Sequence, residues 1–433
     1  MTTNLQTYNN YKPSGVEWLG DIPEHWEALS NKYIFNINKI LVGKKSSDYD
    51  LLSLTLNGVI KRDMENPSGK FPAEFDTYQE VKKGDFIFCL FDVEETPRTV
   101  GLSDYDGMIT GAYTVMQPYE NFDRSFLYYF YLNLDADKRM KPLYTGLRNT
   151  ISKDNFFSFK TYVPPKEEQS LIAQFLDDKN IKIEQAIIIK KKQIELLKER
   201  RQILIHKAVT KGLNPDAKLK ESNVEWIGEI PEHWEVKRLA SFGKFSKGGG
   251  FSKSDLTENG VSAILYGDIY TKYDIYIKNE VRFISEETAK KSIEIKKNSL
   301  LFTGSGETME DIGKCVVYLN DGKAFAGGDV IIFEQSDNDS FFLSYALNTN
   351  GARFEKARFS KGEIIVHTYG SKLRDIYIPI PPKSEQVIIA EFLESISFKI
   401  STAISLKEKE IDKLKEYKAS LINSAVTGKV KVF

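Results

Sequence analysis

The chain has 433 residues, 41% hydrophobic and 28% charged, and its 60 Lys and Arg stand against 61 Asp and Glu for a formal net charge of −1. That balance excludes a disordered or fibrous chain and supplies enough apolar side chains for a core in each of roughly two domains. It also excludes a surface coated in positive charge, so contact with a polyanion has to come from local clusters of cations.

The opening residues, MTTNLQTYNN, lack the charged and apolar stretches of a signal segment, and no apolar run approaches the ~18 residues of a membrane span, so a cytoplasmic location is expected. Val16 to Glu27 then reads VEWLGDIPEHWE. In the middle that follows, about 28–162, the short apolar runs Asp85–Leu90 and Ala112–Met116 predict strands, and Ser125–Leu134 predicts a helix. Pro164-Pro165 mark a helix start, after which apolar or long side chains recur every three or four residues. Among these are Ile183, Ile187, Ile194, Leu197 and Leu204, the pattern of a coiled-coil seam, and Gly212 stands where the helix should stop. A helix of ~40 residues would be about 60 Å long, and a shorter one would result if Asp177-Asp178 broke it.

The same order then returns. Val224 to Glu235 reads VEWIGEIPEHWE, and in the second middle, about 236–379, Ser299–Phe302 and Asp329–Phe333 predict strands and Phe341–Lys356 a helix. VPPKEEQSLIAQFLD at Val163–Asp177 returns as IPPKSEQVIIAEFLE at Ile380–Glu394, and Ala208-Val209-Thr210 as Ala425-Val426-Thr427. Ile400, Ile404, Ile411, Leu414 and Leu421 repeat the seam, and Gly428 the stop. The flanks superpose while the middles, nine residues longer in the second copy, align poorly, as in a frame that carries two different readers. A pseudo-symmetric chain suits a partner made of two separated half-sites, such as duplex DNA, and two matching helices pack most easily antiparallel, with the domains at opposite ends of a rod.

Chemistry within the chain is not expected. Cys89 and Cys315 are far apart and read as buried strand residues, and no phosphate-binding G-x-x-x-x-G-K-[ST] loop occurs. Phe302-Thr303-Gly304-Ser305-Gly306 has the F-x-G-x-G spacing that bends backbone around S-adenosylmethionine in methyltransferases. Its counterpart Phe88-Cys89-Leu90-Phe91-Asp92 has no glycine, and no Asn-Pro-Pro-Tyr or Asp-Pro-Pro-Tyr segment grips a base, so a tight strand-to-loop turn is the better reading. His25 and His233, each beside a tryptophan, read as packing a domain edge rather than binding zinc, and no metal site is expected.

The two copies of Pro-Pro-Lys-x-Glu-Gln-x-x-Ile-Ala-x-Phe-Leu, the first in a near form, together with the heptad helices ending in Ala-Val-Thr and the IPEHWE segments, resemble the specificity subunits of type I restriction-modification systems. The resemblance covers the whole chain. It implies an α/β protein in which two globular mixed α/β target-recognition domains are joined by two long antiparallel coiled-coil helices in a pseudo-twofold repeat. The corresponding segments are 1–165, a first helix 166–213, 214–382 and a second helix 383–433. It also implies a subunit without catalysis of its own: each domain reads one half of a bipartite DNA site, the helices set the spacer, and two modification subunits dock on the shared frame. S-adenosylmethionine, ATP and Mg are expected on those modification subunits and on the restriction subunits that join them. A tandem-repeat scaffold that binds no DNA is the alternative.

Base readout needs donors and acceptors on reachable loops, backed by cations on phosphates. In the first domain the candidates are Lys44, Lys45 and Ser46; Asn57, Lys61 and Arg62; and Arg148, Asn149 and Lys153. In the second, the glycine-rich stretch contributes Lys247, Gly249, Ser252 and Lys253, with an ordinary solvated hairpin as the alternative. Lys272-Tyr273 and Arg358 with Lys361 mix basic and aromatic residues as stacking sites do, although an amphipathic helix explains the latter segment equally well.

Overall fold

The computed structural model describes residues 6–37, 39–64, 74–279, 281–306, 312–358 and 366–433. The chain divides into two compact units, one made of 1–190 with 409–433 and the other of 191–408.

In the first unit β1 (Glu27–Ser30) leads to β2 (Phe35–Asn36), β3 (Phe86–Phe88), β4 (Val100–Leu102) and β5 (Thr114–Pro118), which form an antiparallel sheet in the order β2-β5-β3-β4. Helix α1 (Arg124–Ala136) follows, its N-terminus capped by Asp123, which accepts from the Phe126 amide at 2.9 Å. The core between sheet and helix is aromatic: Phe35, Phe86, Phe88, Phe126, Phe130, Tyr131 and Phe156 are all buried. β6 (Lys160–Val163) pairs antiparallel with β1, so the two ends of the first middle are tied to each other before α2 (Lys166–Lys211) begins.

The second unit repeats this plan. β7 (Glu235–Arg238) is followed by β8 (Lys244–Lys247), β9 (Tyr276–Ile277), β10 (Leu300–Thr303), β11 (Cys315–Tyr318) and β12 (Val330–Glu334), in the sheet order β8-β12-β10-β11-β9. Beside it lies another five-stranded sheet, which includes Val261–Ile264 and Ala324–Ala326. α3 (Ser340–Leu347) is capped by Asp339, α4 (Asn350–Arg358) comes next, and β13 (Tyr377–Ile380) ties back to β7 before α5 (Lys383–Val426). The expected single helix Phe341–Lys356 is thus two. Asn348 breaks it, because its side chain bonds both the Cys315 amide (3.1 Å) and carbonyl (2.6 Å) and so competes with helix continuation.

α2 runs unbroken through Asp177-Asp178 for 46 residues, about 69 Å at 1.5 Å per residue. Asp177 is held there by the Tyr129 hydroxyl at 2.5 Å, while Leu176 and Ile183 stay buried on one face. Within the first unit, Glu184 pairs with Lys418 (2.8 Å) and Lys190 with Glu410 (2.7 Å), so partners descend along α5 as they ascend along α2, the signature of antiparallel packing. The second unit likewise packs Ile205 and Val209 of α2 with Ile389 and Leu393 of α5 in one core. Of the ten expected seam residues, Ile183, Ile187, Ile194, Ile400, Ile411 and Leu421 are buried, and Leu197, Leu204, Ile404 and Leu414 are half-buried. Near the end of α2 burial passes from Leu204 to its neighbour Ile205, as expected when 3.6 residues per turn drift against a strict heptad.

Both cysteines are free and buried, as expected of strand-associated apolar residues. No helix among the described residues is long and apolar enough to cross a membrane.

One buried cation stands out in the second unit. Lys356, which an amphipathic helix would put in solvent, is fully buried and donates to the carbonyls of Gly313 (2.5 Å) and Leu347 (2.7 Å). Burial pushes its ammonium down to about 7. Since a free lysine titrates near about 10.4, the unfolded chain binds the extra proton between these values, and stability should rise with pH across about 7–10. In urea unfolding at pH 7 and pH 9.5, Lys356→Met should remove much of that rise; the same pH dependence in both proteins would refute it.

Candidate DNA interface and the clamp that frames it

The three repeated motifs meet in one place in each unit. The Trp26 indole donates to Glu168 at 2.9 Å, His25 Nε2 lies 2.7 Å from the same carboxylate, and the Tyr8 hydroxyl donates to it at 2.7 Å. In the second unit Trp234 and His233 hold Glu385 at 3.0 and 2.7 Å. Each carboxylate sits in the first turn of its long helix, where the unsatisfied amides favour negative charge. Burial and the adjacent Glu168 push the Tyr8 phenol well above its usual range.

The next residue does a second job. Gln169 donates to the Pro164 carbonyl (2.8 Å) and accepts from the Asp123 amide (2.9 Å); Gln386 does the same with Pro381 (2.8 Å) and Asp339 (2.7 Å). Asp123 and Asp339 cap α1 and α3, so one Glu-Gln pair ties each long helix to the IPEHWE segment and to the domain helix. The third motif closes the site: Gly428, at φ +70°, packs so tightly that a Cβ there would lie 2.3 Å from Pro23, and Gly212, at φ +72°, abuts Trp234. A side chain would meet both steric overlap and a left-handed backbone. The paired histidines are therefore carboxylate partners, and no group of three or more metal-ligating residues occurs among the described residues.

The candidate reading residues are scattered over loops, strands and helix ends of both units. Lys44, Lys45 and Ser46 lie in a 3₁₀ turn (Gly43–Asp48), the two lysines exposed and without an ion-pair partner among the described residues. Asn57 is at the tip of the hairpin Leu52–Thr55/Gly58–Lys61, and Arg62 is half-buried just beyond it. Lys61 pairs with Asp50 at 2.5 Å, which raises its pKa, and sits over the Tyr105 ring. Arg148 forks onto Asp92, with Nε 2.9 Å from Oδ1, and holds that carboxyl below the usual carboxylate range. Asn149 donates to Glu95 at 3.0 Å, and Lys153 is exposed at the start of the short helix Lys153–Ser158.

In the second unit several candidates are occupied internally. Gly249 spends its amide on the Ala326 carbonyl (2.9 Å), and the close approach that the glycines permit is to their own chain, since a Cβ on Gly248 or Gly250 would fall within 2.4 Å of backbone. Phe251 is buried, and Ser252 with Asp255 forms a capping box that leaves Lys253 exposed. Lys272 pairs with Asp268 at 3.3 Å. Tyr273 is 9% exposed and its hydroxyl donates to Asn279, so it offers no face for a base to stack on; it is a core residue. Arg358 pairs with Glu355 at 3.0 Å, and Lys361 lies outside the described residues.

One of the candidates, Lys247, has basic neighbours that the local sequence does not bring together with it. Lys247, 3.9 Å from Asp329, shares the edge strand β8 with Lys244, and Lys372 and Arg374 stand on and just after the short helix Gly370–Leu373; all four are exposed. Lys247 and Arg374 border a cleft of about 340 Å³ with Ser305, His367, Thr368 and Tyr369. More than a hundred residues separate its two sides in sequence, so no local pattern could reveal it. The F-x-G-x-G stretch forms one wall: Gly304 is the tight turn expected there, where a Cβ would meet the Asp329 carbonyl at 2.9 Å, and Ser305–Gly306 pairs with Val366–His367.

The family of the type I restriction modification DNA specificity domain matches the chain over residues 80–198 and again over 231–416. The chain belongs to this family. Its two matched stretches each run from a domain sheet into a long helix, as the repeated clamp requires. Among curated relatives, the type I restriction enzyme MjaVIII specificity subunit of Methanocaldococcus jannaschii is 28% identical over 320 residues, covering 72% of this chain and 71% of that protein. The putative MjaX specificity subunit of the same organism is 25% identical with full coverage of both chains. The fold is shared with a chain from a study of type I restriction-modification complex assembly (TM-score 0.67, 14% identity, 94% of this chain and 98% of that one). It is also shared with the HsdS subunit from Thermoanaerobacter tengcongensis (TM-score 0.53, 15% identity, 94% and 98%).

Proposed function

We propose that this specificity-family chain selects the DNA site for a type I restriction-modification complex, each middle reading one half of a bipartite asymmetric sequence while the helices set the spacer. The observation that carries this reading is the clamp itself. The same Trp-His-Glu-Gln constellation is built twice, and between its halves the chain carries two middles with different strand numbers and different surface residues. A frame that is held constant around divergent loops is what two independent readers need; a scaffold would have no cause to diversify only there.

Two modification subunits would dock on the helices, bringing S-adenosylmethionine, and restriction subunits would add ATP- and Mg-dependent cleavage. The exposed Ile181, Ile188 and Ile189 of the first unit, and Leu196 and Ile203 of the second, support docking, since apolar side chains 51–63% exposed on helices otherwise faced with charge call for a cover. The test is binding of the chain, assembled with its modification subunits, to duplex DNA. A bipartite methylated motif should appear, and affinity should fall linearly on a log–log plot with salt, with a slope of roughly −0.9 per phosphate contacted. Equal affinity for all duplexes at moderate salt would refute the reading.

A further inference from the structure

The two domains build the same crossing and fill it differently. In the first, the loop after β3 meets the segment before β6 through the Ile151 amide donating to the Leu90 carbonyl (2.8 Å); in the second, the loop after β10 meets the segment before β13 through the Thr368 amide donating to the Gly304 carbonyl (2.9 Å). β3 and β10 occupy matching interior positions of their sheets. The match places Phe91 opposite Thr150 where Ser305 stands opposite His367.

The side chains around these crossings are unlike. In the first domain Arg148 forks onto Asp92 and lies over the Phe91 ring (5.8 Å), with its side chain 70% exposed. In the second, His367 is exposed and its Nδ1 lies 3.0 Å from the Oγ of buried Ser305. Backbone pairing already holds each crossing, so the side-chain pairs are not needed to close it. They fix the aim of one outward group. Arg148 has five N–H donors and commits two to Asp92, leaving three. His367 Nε2 has no partner among the described residues, and because the serine hydroxyl at Nδ1 can donate or accept, Nε2 can offer either a proton or a lone pair.

We propose that this crossing is the base-reading point of each domain, with Arg148 held by Asp92 reading an edge in one half-site and His367 held by Ser305 reading an edge in the other. The inference rests on the DNA-reading function above. Base edges fit better than phosphates because each crossing mixes donors and acceptors: Asp92 holds Arg148 and Glu95 accepts from the neighbouring Asn149, and Asp329 lies beside Lys247 in the cleft of His367. Carboxylates repel phosphate but accept from the amino groups of cytosine and adenine. In the second domain Lys247 and Arg374 border the cleft, two cations available to the phosphates that adjoin the base read there. Ser305 and Asp92 are positioning residues.

The experiment uses the full complex with modification subunits, and scores binding to duplexes carrying each single base substitution, together with mapping of the methylated motif. Arg148→Ala should lose about tenfold discrimination at one position of one half-site, and His367→Ala or His367→Gln the same at one position of the other half-site, with the spacer unchanged. Ser305→Ala should relax the same position as His367→Ala by a smaller factor. Variants that keep the wild-type motif at every position, that weaken binding equally for all sequences, or that abolish binding altogether with both His367 substitutions overturn the inference while leaving DNA reading intact. A wild-type complex without sequence preference would instead remove the function on which it rests.

Discussion

Trp26→Ala should destabilise the first unit by about 3–5 kcal/mol, the range for emptying the site of a fully buried large aromatic. Trp26 is 0% exposed, meets Phe126 and Tyr8 edge-on with centroids 6.1 and 6.4 Å apart, and lies under the Gly428 turn. Its loss also strips Glu168 of its indole donor, so that cavity and lost hydrogen bond act together. Trp26→Phe separates the two effects: most of the volume remains, and the missing donor should cost about 1–3 kcal/mol. Trp234→Ala should act on the second unit through the equivalent bond to Glu385. Hydrogen exchange followed by mass spectrometry reads the units apart; loss of protection confined to 6–190 and 409–433 in Trp26→Ala is expected. A change within ±0.5 kcal/mol would show that the clamp is not structural.

Lengthening the helices should change the spacer of the recognised site and leave both half-site sequences alone. A seven-residue insertion adds ~10 Å and keeps the seam in phase, which is about three base pairs at 3.4 Å each. The ion pairs Lys190–Glu410 and Glu184–Lys418 show that the insertion has to be made in both helices, between 190 and 191 and between 408 and 409. In one helix alone it would slide every pair on one side of the insertion out of register. Motif mapping by single-molecule sequencing decides the matter: an unchanged spacer in the doubly lengthened protein would refute the ruler role.

Much of the architecture was legible because it is periodic or repeated. A heptad pattern needs only spacing to be recognised, and a duplicated segment needs only comparison, so the long helices, their stops at Gly212 and Gly428, and the two-domain plan could be read directly. Strands at 86–88, 114–118, 300–303 and 330–334 were found because their apolar runs are buried on both faces. The candidate interface was less legible. A basic residue looks the same in a string of letters whether it faces solvent, as Lys44 does, or sits in an ion pair, as Lys61 and Lys272 do, or is entirely buried, as Lys356 is. Local sequence records residue type, while availability depends on partners brought from elsewhere in the chain.

A twice-built frame around two unlike middles follows from the order of residues alone, because near-identical segments keep the same apolar and polar positions and so favour the same local structure. How the frame closes depends on contacts between residues far apart in the chain. The first IPEHWE segment is completed by the end of the second long helix, where Lys429 donates to the carbonyls of Leu19 (2.7 Å) and Asp21 (2.6 Å). The second segment takes the helix directly preceding it, with Gly212 against Trp234. The last 25 residues, 409–433, thus belong to the first unit. Each buried tryptophan packs against a glycine-ended helix, and burial selects that helix by its place in space rather than in sequence.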